Sequence, residues 1–321
     1  MPEIVVLGNF VVDIIGKPID RLPGRGHLSL LDTLETHVGG NGPNTAGALA
    51  RLGGAAAAAG AVGQDLYGRF LLEALEGWGV DTRPVLRLPD VATGVTLVPV
   101  DTTGERSFIY YRGANARVDA ESLDWSALNG VRHLHLCGFY VLPGLDGEPA
   151  ARLLRAARER GLTTSVDVCW DQRGRWMETL APCMPHVDLL MPSEEEAARL
   201  SDATDPAEMA ARLRSLGPRE VVVKLGERGC YYLGEEGPLA LPALRVEVRE
   251  TTGAGDCFIA GFLYARLRGW PVERALRFAN ACGARAVGHV GAVTGMAPAA
   301  EIESWAAGVP PRTCVEKEAA G

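Results

Sequence analysis

The chain has 321 residues, 47% hydrophobic and 22% charged, which suits one large α/β unit or two average domains with a full core. A formal net charge of −8 and a pI near 5.4 argue against a nucleic-acid or anionic-membrane surface. Seven cysteines without a C-x-x-C pair indicate neither a zinc site nor a disulfide framework, and no apolar run approaches the roughly 18 residues of a membrane span. The amino terminus has no basic segment and Asp13 interrupts its apolar stretch, so no signal peptide is expected and a reduced, cytoplasmic protein is.

Ile4–Leu7, ending at Gly8, has the pattern of a buried parallel strand. A helix is expected over 44–52, with Asn44 suited to cap it and Gly53-Gly54 to end it. The alanine run 55–61 is short and glycine-bounded and is assigned as a buried strand despite its helix propensity. An amphipathic helix follows over 66–78. Segments 93–100 and 105–111 flank Asp101-Thr102-Thr103-Gly104, a hairpin signal. From 133 the rhythm is strand (133–136), helix (148–160), strands (163–168 and 187–191), helix (194–200, Ser193 as N-cap), helix (207–216) and strand (221–225). A hairpin begins at 231, and two long helices run from about 255 to 268 and 272 to 288. Such alternation predicts a parallel sheet with helices on both faces, and 12–36 and 92–114 read as a small extra sheet.

The strongest chemical signal is Glu250-Thr251-Thr252-Gly253-Ala254-Gly255-Asp256. Small residues at the mouth of a helix let backbone N–H groups approach an anion, and the helix N-terminus adds partial positive charge. Asp256 in the first turn suits a general base. The same seven residues also suit a plain glycine-rich helix start. A dinucleotide fingerprint fails because Phe258 stands where glycine is needed, which disfavours a Rossmann oxidoreductase, and no G-x-x-x-x-G-K-[ST] occurs.

The heptad resembles the C-terminal signature of the ribokinase-like carbohydrate and nucleoside kinases, with Glu250 where that family has Asp. Gly39-Gly40-Asn41-Gly42-Pro43-Asn44-Thr45-Ala46 resembles the family's N-terminal signature, with Asn41 where ribokinase proper has Lys. Val62-Gly63-Gln64-Asp65 with Gly68, Gly8-Asn9 through Asp13, Pro192 to Glu196, Lys224 to Gly229, Asn280 and Gly291-Ala292 follow in the family's order, so the resemblance covers roughly 3–305.

The resemblance implies a three-layer α/β/α sandwich with a mainly parallel sheet and a small β-sheet lid. The core would be 1–11, 37–91 and 115–309, the lid 12–36 and 92–114, and 310–321 a frayed tail. It implies transfer of the ATP γ-phosphate to a hydroxyl, with Asp256 as base and Gly253, Ala254 and Gly255 around the phosphate. Asp13, Gly39, Gly40, Asn41 and Asn44 would bind the acceptor, with Arg112 a candidate for an anionic one. Ser193, Lys224, Gly226, Gly229 and Asn280 would bind ATP. Glu196 would reach Mg2+ through water, and Glu250 would face a monovalent cation, with weak or absent potassium activation expected because it is longer than Asp. Asp167 or Asp171 is a second candidate for water around magnesium, or a strand-end cap. A homodimer through the lid sheet is expected. Nucleoside kinase, or a non-catalytic sugar or nucleotide sensor on the same fold, are the alternatives.

Overall fold

The structure, a computed structural model, describes residues 1–312. Strand β1 (Ile4–Leu7) shows why the fold is layered. It offers no polar side, so both faces must be covered. Ile4 and Val6 enter one core cluster, Val5 and Leu7 the other. The chain continues through β2 (Val11–Lys17), β3 (Thr33–Gly39), α1 (Asn41–Arg51), β4 (Ala56–Gly63), α2 (Leu66–Gly77), β5 (Val85–Leu88), β6 (Gly94–Pro99) and β7 (Ile109–Tyr111). Then come β8 (His133–Phe139), α3 (Glu148–Glu159), β9 (Thr163–Val168), α4 (Trp176–Leu180), β10 (Leu189–Leu190), α5 (Glu194–Ser201), α6 (Pro206–Ser215) and β11 (Glu220–Lys224). Strands β12 (Cys230–Gly234) and β13 (Gly237–Leu241) and helices α7 (Ala254–Leu267), α8 (Val272–Val287) and α9 (Ala299–Ala307) follow.

Among the described residues the large sheet has nine strands in the order β13-β12-β11-β10-β9-β8-β1-β4-β5, antiparallel only at the β11–β12 and β12–β13 pairings. Leu49 of α1, Phe262 of α7 and Leu276 of α8 pack on one face, Leu154 of α3 and Leu213 of α6 on the other. The alanine-rich β4 is buried along its whole length and pairs in parallel with β1 and β5, so tertiary burial overrides alanine's preference for helix.

A second sheet, ordered β3-β2-β6-β7, stands apart from the first. Side chains alternate along its strands, so the paired row Asp13, His37, Thr96 and Tyr110 shares one face. Leu34, Leu97 and Ile109 occupy the other. The two sheets are stitched at their junction by the side chains of Asn115, which is buried, and Asp65, which is partly buried. Asn115 donates from Nδ2 to Phe10 O and accepts from Phe10 N–H, both at 2.8 Å. Asp65 caps α2 by accepting from Gly68 N–H at 2.8 Å, and also accepts from Thr93 N–H at 2.8 Å. The Val62–Gly68 motif is therefore a helix cap tied to the entry of β6.

Some expectations need correction. Helix α1 starts at Asn41 after Gly40, so Asn44 lies inside its first turn and is not its cap. The tail from 310 is held at its start: Arg245 N–H donates to Pro310 O at 2.9 Å and Arg312 N–H to Ala243 O at 2.7 Å. Its remainder, with Cys314, lies outside the described residues. Strand β5 and helix α9 had no assignment from sequence. Among the described residues no helix is long and apolar enough to cross a membrane.

Candidate active site

A cleft of about 660 Å³ opens along the large sheet, and Gly253, Ala254, Gly255, Asp256 and Lys224 line it. Gly253 precedes α7 in the left-handed region (φ 76°), and a side-chain carbon there would collide with Ala292. Only glycine fits, and the turn it makes aims the start of α7 at the cleft. The first N–H groups of a helix have no partner within it and carry partial positive charge, so this end suits an anion.

Asp256, in the first turn of α7, is buried. Asn41 Nδ2 donates to its Oδ1 at 3.0 Å and Asn44 Nδ2 to its Oδ2 at 2.9 Å. Both asparagines belong to the opening turn of α1, so the two glycine-rich signatures meet at one carboxylate. Burial raises the Asp256 pKa above the usual carboxylate range, and the two amide donors restrain the rise. Asn44, expected to bind an acceptor, uses its Nδ2 to hold Asp256. Its Oδ1 is buried and has no partner among the described residues.

Asp13 reaches from β2 over Gly39, where a side-chain carbon would collide with the Asp13 carboxylate. Burial pushes Asp13 up to about 6, against a Thr96 hydrogen bond and the charge of His37; Glu250 adds to the rise and Arg106 opposes it. Gly40 precedes α1 and abuts Asn9, whose Oδ1 accepts from Asn41 N–H at 3.3 Å. Arg112 is exposed, with no side-chain partner among the described residues.

Also lining the cleft, Lys224 donates from Nζ to Asp167 Oδ1 at 2.6 Å. Burial pushes Asp167 up to about 7, with Lys224 pulling it down. Burial depresses Lys224, but Asp167, Glu196 and Asp256 outweigh it and hold the ammonium above its ordinary pKa. The lysine is therefore charged at neutral pH. A carbon placed on Gly255 would stand 3.6 Å from its Nζ, so the charge lies beside the glycine turn that opens α7. Ser193 and Glu196 form a capping box on α5, with Ser193 N–H donating to Glu196 Oε2 at 2.7 Å. Both line the cleft, as do Gly226, Gly229 and Asn280. Asn280 Nδ2 donates to Pro242 O at 3.1 Å.

Residues 1–300 match the pfkB family carbohydrate kinase model. The chain belongs to that family. It is 31% identical to the ribokinase of Schizosaccharomyces pombe over 94% of this chain and 97% of that protein. It is 31% identical to the aminoimidazole riboside kinase of Salmonella typhimurium over 80% of this chain and 84% of that protein. The fold matches a ribokinase II of E. coli in complex with ATP and Mg2+, with TM-score 0.82, 27% identity, and 95% of this chain and 99% of that one covered. This chain is an ATP-dependent sugar or nucleoside kinase.

In this kinase the two candidate aspartates, Asp167 within β9 and Asp171 after it, separate. Asp171 accepts from the backbone N–H groups of Arg173 and Trp176 at 2.9 and 2.8 Å and shapes its own loop. Asp167 faces the cleft with Lys224. Two features escaped the sequence. Arg106, in the turn region before β7, donates from Nη1 to Glu250 Oε1 at 2.9 Å and to Thr252 Oγ1 at 2.7 Å. Cys169 Sγ donates to Asn41 Oδ1 at 3.2 Å, backing the residue that holds Asp256. No local pattern marks either, because both partners are more than a hundred residues away.

Proposed function

We propose that this kinase transfers the γ-phosphate of ATP to a hydroxyl, a primary one, of a sugar or sugar-like acceptor bound between the small sheet and the core. Asp256 takes the hydroxyl proton as the new O–P bond forms and the bond to the ADP oxygen breaks. The observation that carries this is Asp256 beside the anion-binding turn, its two oxygens oriented by Asn41 and Asn44. A base raised by burial is better matched to a neutral working pH than an exposed aspartate. Gly253 to Gly255 and Lys224 surround the transferred phosphate, where donors fixed beforehand are worth most. Ser193, Gly226, Gly229 and Asn280 line the nucleotide's path. Asp13, Gly39, Gly40 and Asn41 meet the acceptor, and Arg112 stands outside the enclosed part of that site.

Magnesium supplies charge neutralisation on the phosphates when bound. Among the described residues no three His, Cys, Asp or Glu side chains cluster closely enough to cage a bare ion. That suits an ion carried on ATP, whose waters Glu196 and Asp167 would hold. Glu250 is already paired with Arg106, which supports turnover without a monovalent cation. Free cysteines, Cys137, Cys183, Cys230, Cys257 and Cys282 of them buried, suit a reducing, cytoplasmic setting.

The test is ADP release against ketoses, aldopentoses, sugar acids and nucleosides. Turnover with one of the sugars supports the proposal; turnover with nucleosides alone moves it to the nucleoside class. ADP release no faster than without acceptor would favour a sensor.

Asp13 gives a pH prediction. Its ionised form accepts hydrogen bonds from acceptor hydroxyls, and that form is lost as pH falls through about 6. The acceptor kcat/KM should fall about tenfold per pH unit below that point. Asp13→Asn should remove this limb and raise the acceptor KM about 10- to 100-fold, the worth of a lost buried hydrogen bond, leaving the KM for ATP nearly unchanged. A limb unaltered in the variant would assign it elsewhere.

The face of the small sheet opposite Asp13 supports a homodimer. Leu34, Leu97 and Ile109 are 66%, 46% and 48% exposed there, an apolar surface that a monomer would leave wet. Leu97→Glu should give a monomer by light scattering where the parent is a dimer; a monomeric parent rejects this assembly.

A further inference from the structure

The small sheet is tied to the anion-binding turn through one side chain. Arg106 is bridged to Val100, and counting by twos along the β6–β7 pairing puts it on the face of Thr96, Tyr110 and Asp13. Its Nη1 bonds join both Glu250 and Thr252, the residues that lead directly into Gly253. The Glu250 side chain is only 4% exposed, and its second oxygen accepts from Gly291 N–H at 2.9 Å. Gly291 is followed by Ala292, which backs Gly253 and whose carbonyl accepts from Cys257 Sγ at 3.2 Å. The Glu250 carboxylate thus clamps both walls of the turn, and its counter-charge comes from the small sheet. A buried carboxylate deprived of its cation is costly, so the clamp depends on the sheet being in place.

We propose that Arg106 is a positioning residue for phosphoryl transfer: carried by the small sheet, it sets the Gly253–Gly255 turn in its anion-binding geometry when that sheet covers the acceptor. Enclosure of the acceptor and assembly of the phosphate site then become one event, and ATP is spared from attack by water in the open state. The proposal rests on the phosphotransfer assigned above.

Arg106→Ala should lower kcat about 10- to 100-fold, with the KM values for ATP and acceptor within about threefold, because what is lost is preorganisation. Arg106→Lys should fall in between, since one ammonium cannot reproduce the planar guanidinium fork. Free guanidinium at tens of millimolar should restore the alanine variant several-fold and leave the parent unchanged. In hydrogen exchange, amides of Thr252 to Gly255 should open faster in Arg106→Ala while the β1 and β8 amides keep their protection. If no acceptor supports turnover by the parent, the transfer fails while the exchange comparison still decides the clamp. A kcat within twofold of the parent, equal exchange at Thr252 to Gly255, or a loss accompanied by global loss of protection would overturn it. So would a several-fold gain by the parent specific to potassium, which would show that Arg106 does not supply the charge.

Discussion

Asparagine in place of Asp256 is expected to lower kcat by about 10²–10⁴, the range that a positioned general base contributes. The amide keeps the shape of the carboxylate but has no basic oxygen to take the acceptor's proton. The KM values for ATP and acceptor should stay within about threefold, since the anion-binding turn and the Asp13 region are untouched. Asn41 and Asn44 sharpen the expectation. Both donate to Asp256, so Asn44→Ala should act on kcat, and its acceptor KM should move much less than that of the Asp13 variant. Steady-state kinetics with a saturating partner substrate separate the two parameters. Turnover of Asp256→Asn near the parent rate would remove Asp256 from the role of base.

Lys224→Met is expected to destabilise the fold by about 3–5 kcal/mol at pH 8, the usual consequence of stranding one member of a buried ion pair. The pH dependence has a definite sign. Burial already pushes Asp167 up to about 7 with the lysine present, and without that ammonium it rises further. A carboxyl whose folded pKa is raised above its unfolded value, near 4, favours the fold most at low pH, and that advantage is lost as pH rises towards the folded value. In urea unfolding the gap between variant and parent should therefore be constant below about pH 7 and widen by about 1.4 kcal/mol over the next pH unit. Asp167→Asn combined with Lys224→Met removes the buried charge and should recover most of the stability. It should not recover activity: kcat/KM for ATP is expected to remain about 10²-fold down, as for loss of one electrostatic donor to the transferred phosphate. A double variant that regains turnover would assign Lys224 to the fold alone.

How much of this kinase was legible in the sequence depended on whether the physics was local. The alternation of apolar strands and amphipathic helices foretold the layered sheet, because burial on both faces leaves a mark in each strand separately. Ile4, Val5, Val6 and Leu7 are all apolar, and they feed both cores. The glycine-rich opening of α7 was equally visible, since three small residues before Asp256 mark the mouth of a helix and Gly253 there takes the left-handed turn. The capping box of Ser193 and Glu196 spans four residues and needs nothing from elsewhere. Asn44 shows where local reading stops. It suited a cap in sequence, but α1 begins three residues earlier, and the amide turns to Asp256, 212 residues away. Arg106 looked like any charged residue after a turn until the packing of the small sheet brought it to Glu250, 144 residues on. The same holds for Lys224 and Asp167, 57 residues apart. Sequence by itself determined most of the elements and the glycine-rich opening of α7 that carries Asp256, because each follows from backbone sterics or burial within a few residues. Only the tertiary structure decided which side chains hold Asp256, which charges face one another and how the small sheet reaches Glu250 and Thr252. Hydrogen bonds and ion pairs between distant segments leave no periodic trace in the chain.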